Sequence, residues 1–303
     1  MKTFVIQPAA AFDPANQGAW SGVPADVYHA APGESNSGLA LLEECPAKYR
    51  MMRNGVFKRP QSHDMEMGTI IHTVVNEGGA SNYHIRPVVY GKDGKPWHNG
   101  ANECKAWLAA HADMPVLSID EARMINNLAD LVRATPQAMQ LLRGAQTEIS
   151  ACAYNTDLDF PYMLRCRFDI LGEDDLGWYF VDTKSTRDAS TDVFSREIYN
   201  RKYHAQMALY RRVLERLTGT DVRCYFLALE KSFVLPRLNL RQLAPAALDA
   251  GDQIIDDRLA LLKRCKITNR WPALPDDEGA EEIQFIELPP FARDDDEIEI
   301  SAS

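Results

Sequence analysis

Arg165–Ser185 reads RCRFDILGEDDLGWYFVDTKS, and this stretch decides what kind of fold the chain can build. Two runs of alternating character flank a polar, glycine-bounded turn from Gly172 to Gly177, the pattern of a half-buried β-hairpin. Side chains two apart on a strand share a face. Arg165, Arg167 and Asp169 therefore point one way on the first strand, and Phe180, Asp182 and Lys184 point one way on the second. The two carboxylates can meet as hard oxygen ligands for a divalent cation, with the Lys184 ammonium beside them. Such a cation charge-stabilises phosphoryl oxygens and activates water, while the lysine orients the nucleophile. The chemistry indicated is phosphodiester cleavage.

The 303 residues, 46% of them hydrophobic, suffice for one elaborated domain with a real core. No segment has the apolar length of a membrane span, and MKTFVIQPAAAF lacks the apolar run of a secretory signal, so a cytoplasmic protein is expected. Cys45, Cys104, Cys152, Cys166, Cys224 and Cys265 are scattered without a C-x-x-C pair, which argues against a zinc site and a disulfide framework. The net charge of −10 looks wrong for a protein that meets phosphates. Its distribution resolves this: Asp276–Glu299 holds eleven acidic residues and one basic, leaving 32 of each sign elsewhere. Basic residues gather at Lys184, Arg187, Arg196, Arg201, Lys202, Arg211, Arg212 and Arg216, and again over Lys48–Arg59.

Residues 1–34 read as a mostly irregular N-terminal arm, 35–272 as the domain, and 273–303 as an acidic tail. Ser37 is a plausible cap for a short helix that Pro46 interrupts. A helix runs from Met65 to Gly78-Gly79 and carries His72, which on its apolar surroundings alone is a core histidine. Residues 81–100 read as loop or short hairpin. Helices are expected over Asn102–His111, Ile119–Arg133 and Pro136–Leu142, then a strand over Thr147–Tyr154 with Glu148 at its start. One amphipathic helix spans Val193–Leu217, with Gln206 and Tyr210 on one face. A strand over Val222–Glu230 and a long helix from about Arg241 to Lys266 complete the pattern.

Asp182-Thr183-Lys184, with Asp169 one hairpin upstream and a basic helix downstream, resembles the PD-(D/E)xK nuclease superfamily. The motif Gln206-x-x-x-Tyr210 after Asp-x-Lys is similar to that of the RecB, Cas4 and exonuclease VIII nucleases. Tyr28-His29, Ser35-x-Ser37-x-Leu39 and Pro46-Ala47-x-Tyr49 look like the opening of the exonuclease VIII (RecE-type) phage recombination nucleases, and Gly68-x-x-x-His72 matches their ligand helix. The resemblance implies a restriction-endonuclease-like α/β core, a mixed sheet flanked by helices with helical additions. It implies one or two Mg²⁺ or Mn²⁺ ions held by His72, Asp169, Asp182 and the Thr183 carbonyl, with Glu148 a further candidate. Asp169, Asp182, Lys184, Gln206 and Tyr210 become the catalytic set. Ser35, Ser37, Arg165, Arg167, Arg196, Arg201, Lys202, Gln206 and Tyr210 become the DNA contacts. The implied activity is a double-strand DNA exonuclease, 5′ to 3′, leaving 3′ tails for an annealing protein and working as a trimeric or tetrameric ring. Two alternatives stand beside it. One is a non-catalytic module binding DNA ends or a partner. The other is a Cas4- or RecB-like nuclease without an iron–sulfur cluster, since Cys45 fits a cluster's first ligand and nothing supplies the C-terminal trio.

Overall fold

The central hairpin is longer than its sequence pattern suggests: Met163–Asp174 and Gly177–Thr186 pair antiparallel across the two residues Asp175 and Leu176. Gly177, at φ 97°, supplies the left-handed backbone the turn requires. Gly172 is no turn residue. It lies opposite Tyr179 in the ladder, and a Cβ there would stand 2.4 Å from the tyrosine's phenol oxygen, which donates to Leu141 O at 2.8 Å.

The computed structural model describes residues 4–57, 63–76, 83–155 and 161–273. All but the first residue of the acidic tail, and the Gly78-Gly79 helix stop, lie outside the described residues. In chain order the elements are β1 (Ile6–Pro8), β2 (Gly18–Ser21), α1 (Ala25–Ala30), α2 (Asn36–Glu44), α3 (Pro46–Arg53) and α4 (His63–Asn76). An outlying segment follows with β3 (His84–Ile85), β4 (Val89–Tyr90), β5 (Lys95–Pro96), α5 (Asn102–Ala110) and β6 (Val116–Leu117). Then come α6 (Ile119–Ala134), α7 (Pro136–Leu142), β7 (Gln146–Tyr154), β8 (Met163–Asp174) and β9 (Gly177–Thr186). The chain continues through α8 (Thr191–Asn200), α9 (Tyr203–Thr218), β10 (Arg223–Glu230), β11 (Leu238–Gln242) and α10 (Pro245–Thr268).

Seven strands form one mixed sheet in the order β1-β2-β7-β8-β9-β10-β11, with β1/β2 and β9/β10 parallel and the other pairs antiparallel. Helices cover both faces. Phe168, Phe180 and Phe226 pack under α2, α3, α9 and α10, while Ile170, Tyr179, Val181 and Leu227 pack under α4, α6 and α7. This is the restriction-endonuclease-like α/β arrangement expected from the sequence. Among the described residues no helix is long and apolar enough to cross a membrane.

Three expectations need correction. Residues 1–34 are not an irregular arm: β2 pairs with β7, and Trp20, 1% exposed, donates from Nε1 to Ala11 O at 2.8 Å. Strands of three or four residues carry too few positions for alternation to register, and their stability comes from the sheet edge they join. The expected helix over Val193–Leu217 is two helices, broken at Arg201 and Lys202, where Lys202 adopts a left-handed φ of 53°. Residues 238–242, assigned in part to the last helix, pair with β10, and α10 begins at Pro245, which suits a first helical turn.

Candidate active site

The site grows out of a fork in the sheet. The β8–β9 ladder ends at Ile170–Val181, and beyond it β9 continues to Thr186 paired with β10. At the same level the β7–β8 ladder steps from Thr147–Ile170 to Ile149–Phe168, skipping Glu148, whose φ is 54°. Alternation slips there: Phe168 and Leu171 belong to the core under α9, and Ile170 between them belongs to the core under α4. Asp169 is consequently turned into the gap. Its Oδ2 accepts from Thr183 N at 2.7 Å, replacing the ladder bond that β8 no longer provides.

Asp169 leans toward α4, where His72 Nδ1 lies 3.5 Å from its Oδ2. Asp182 leans toward α9. Its Oδ1 accepts from Gln206 Nε2 at 2.7 Å, and its Oδ2 lies 2.7 Å from Lys184 Nζ. That approach is an ion pair without hydrogen-bond direction, so Oδ2 is buried with no directed donor. Lys184 Nζ donates to Gln206 Oε1 at 3.1 Å and sits 4.7 Å from the centre of the Tyr203 ring. Lys184, Asp182 and Gln206 thus close a ring of polar contacts.

The electrostatics follow from this crowding. Burial pulls the Lys184 ammonium down, but the charges of Asp182 and Asp169 outweigh it and hold its pKa above the ordinary value. Without a bound cation, the two carboxylates thus favour the charged form of Lys184. Burial, with the Asp182 charge adding to it, pushes the Asp169 carboxyl up to about 6 in spite of His72 and Lys184. Burial also pushes the Tyr210 phenol well above its usual range, so it stays neutral.

His72, Glu148 and Asp169 each offer a ligand atom, and these atoms lie within 4.8 Å of one another. Two carboxylates and one imidazole form a donor set suited to Mg²⁺ or Mn²⁺; Asp182, expected from sequence among the ligands, is not part of this cluster and has its Oδ2 on Lys184 instead. The residues present fit a divalent cation. Thr183 is buried, its N–H on Asp169 and its hydroxyl on Asn76 Oδ1 at 3.1 Å.

A cleft of about 840 Å³ opens onto this cluster between α4 and α9. Ser35, Ser37, Arg165, Arg167, Gln206 and Tyr210, all named from sequence as DNA contacts, line it together with His72, Glu148 and Asp169. Their surroundings differ. Ser35 caps α2 by accepting from Gly38 N at 3.2 Å. Tyr210 packs its ring against Phe168 and Phe180. Arg165, 7% exposed, gives its donors to the carbonyls of Tyr28, His29 and Gly33, so it fixes the cleft wall instead of reaching outward. Outside the cleft lining, Arg196 is exposed on α8, Arg201 pairs with Glu197, and Lys202 pairs with Glu43. Asn76, Tyr203 and Tyr28 also belong to the site although the sequence assigns them no role; Tyr28 stands in the Tyr28-His29 motif and Tyr203 three residues before Gln206, while nothing in the sequence marks Asn76.

Residues 35–287 match the model of the PDDEXK-like domain of unknown function (DUF3799). The chain belongs to that family. No curated protein matches this PDDEXK-like chain in sequence. Among solved structures it is similar to the crystal structure named "Putative exonuclease" from Eubacterium rectale, at 10% identity and a TM-score of 0.52, covering 84% of this chain and 93% of that one. A second match, the crystal structure of SSO0001, has 14% identity and a TM-score of 0.29 over 49% of this chain and 77% of that one, too distant to carry an argument. The first likeness bears on the fold of this PDDEXK-like chain.

Proposed function

We propose that this PDDEXK-like protein is a metal-dependent deoxyribonuclease, an exonuclease on double-stranded DNA that degrades 5′ to 3′ and leaves 3′ tails for an annealing protein. The observation that carries the reading is the meeting, at one fork of one sheet, of the His72–Glu148–Asp169 cluster with the buried Asp182–Lys184–Gln206 unit. His72, Asp169 and Asp182, with Glu148 and the Thr183 carbonyl, would hold one or two Mg²⁺ or Mn²⁺ ions. Such an ion supplies charge neutralisation at phosphoryl oxygens and lowers the pKa of water. The side chains do the rest. Lys184, favoured in its charged form by Asp182 and Asp169, presents hydrogen-bond donors to the attacking water or to a non-bridging oxygen. Gln206 bonds Asp182 and Lys184 together and fixes the direction of both. Polarity, the annealing partner and a trimeric or tetrameric ring rest on the resemblance to the exonuclease VIII (RecE-type) nucleases, and the name of the Eubacterium rectale protein agrees with an exonuclease.

Linear duplex labelled at the 5′ or the 3′ end tests this directly. With Mg²⁺ or Mn²⁺ the 5′ label should leave first as mononucleotide, EDTA should stop the release, and Asp182→Asn should be inert. Duplex that is bound but left intact with either metal would overturn the nuclease reading in favour of a non-catalytic end-binding module.

A further inference from the structure

Glu148 serves two partners that compete. Its carboxylate is one of the three donors within 4.8 Å at the fork, and its Oε2 accepts from Arg167 Nε at 2.6 Å. A carboxylate that neutralises a guanidinium is a poorer ligand for a divalent cation, and two positive centres on one carboxylate repel each other. The position of Glu148 is not free to adjust, because its backbone is held left-handed between the paired residues Thr147 and Ile149. Arg167 is the member with a donor unspent. Its Nη1 is buried without a hydrogen-bond partner, and its guanidinium lies 5.7 Å from the centre of the Tyr28 ring. Arg165 lies 4.9 Å from that same ring but has its donors on three carbonyls. Of the two arginines on Tyr28, one is fully engaged and the other keeps a spare donor on the cleft.

We infer that Arg167 is a charge latch: it neutralises Glu148 while the site holds no cation, and when a divalent cation takes that carboxylate it turns its guanidinium to a phosphate of the bound DNA. This rests on the nuclease reading and adds an order of events to it. A guanidinium matches a phosphate with two parallel donors, which a lysine could not offer. Linkage makes the coupling reciprocal, so the cation tightens DNA through Arg167 by the same factor that DNA tightens the cation. His29, His72, Arg165 and Asp169 line the same cleft.

Calorimetric titration of the full chain with Mn²⁺, in the absence of DNA, separates a latch from a residue that merely orients Glu148. Arg167→Met removes the competitor and should bind Mn²⁺ about tenfold tighter than wild type. Arg167→Lys keeps the charge and should stay near wild type, which guards against a folding artefact. Duplex binding by fluorescence anisotropy, in EDTA and in Ca²⁺, should show a gain from the cation that shrinks in both variants. Mn²⁺ affinity that falls or stays level in Arg167→Met overturns the latch while leaving the nuclease reading intact. A wild-type protein that takes up no Mn²⁺ overturns both.

Discussion

Asp182 and Lys184 neutralise each other where water scarcely reaches, their side chains 2% and 16% exposed. The two are not equivalent as mutational targets. Lys184→Ala strips the counter-charge from a buried carboxylate and should cost roughly 3 kcal/mol of stability. Asp182→Asn keeps an acceptor for Gln206 and leaves the Asp169 charge acting on Lys184, so it should cost less, on the order of 1 kcal/mol. Both should lower the cleavage rate by at least about a thousandfold. Urea denaturation of the two variants checks the order, and a Lys184→Ala protein as stable as wild type would refute the buried pair. Asp169 gives the opposite sign. Its carboxyl, pushed from 3.8 up to about 6 by burial, resists ionisation in the folded protein. Stability tied to that group is fully present below the unfolded value, is lost as pH rises through about 6, and stays lost above it. In EDTA, Asp169→Asn should therefore melt a few degrees above wild type near pH 8, the gain vanishing toward about pH 4. A gain that does not change with pH would assign it to something other than this carboxylate.

The elements that sequence reveals are those whose signals are local. Ser118 and Glu121 form a capping box that starts α6, Pro136 opens α7, and the alternation of Arg165–Ser185 announces β8 and β9. What stays hidden depends on partners far along the chain. β1, β2 and β11 exist because an edge accepts them, and the slip at Glu148 and Asp169 exists because three strands meet there with helices on both faces. Alternation correctly placed Asp182 and Lys184 together on the α9 side. It could not show that Asp169 would lean to the α4 side, nor that β8 would part from β9. The break between α8 and α9 is likewise silent in sequence, since Lys is an ordinary helix former and nothing marks Lys202 for a φ of 53°. That break sets the start of α9, and with it the reach of Tyr203 and Gln206 to Lys184. Lys202→Gly and Lys202→Val both lose the pair with Glu43, so their difference isolates the backbone. The Gly variant should keep near wild-type activity. The Val variant should lose a further 1–2 kcal/mol or so and a large part of its cleavage rate. Equal melting temperatures for the two would mean that the left-handed turn is not retained in solution.

Across the whole molecule, five of the eight basic residues that the sequence gathers between Lys184 and Arg216 are engaged in ion pairs, Lys184 among them with Asp182. Arg211 and Arg212 pair with Asp252, Arg212 also with Asp256, Arg201 with Glu197 and Lys202 with Glu43. Arg187, Arg196 and Arg216 are exposed and, among the described residues, have no ion pair. Among the described residues of this cluster, one copy thus leaves a few unpaired cations for a duplex, and exposed contacts of that kind are screened within about 8 Å at physiological ionic strength. Binding of that kind dissociates quickly, because each phosphate neutralised adds affinity that salt removes. An exonuclease must nevertheless keep its substrate through many cycles. For the exonuclease proposed above, closure around the DNA would supply what contact strength does not: a ring with cyclic symmetry would present several copies of the same cations to one duplex and prevent it from leaving sideways. The expected assembly is a trimer or tetramer of the 34.1 kDa chain. Light scattering at physiological salt should return that mass, and excess unlabelled duplex added after the reaction starts should barely slow digestion of the labelled strand. A monomer whose digestion the added duplex stops at once would refute the ring.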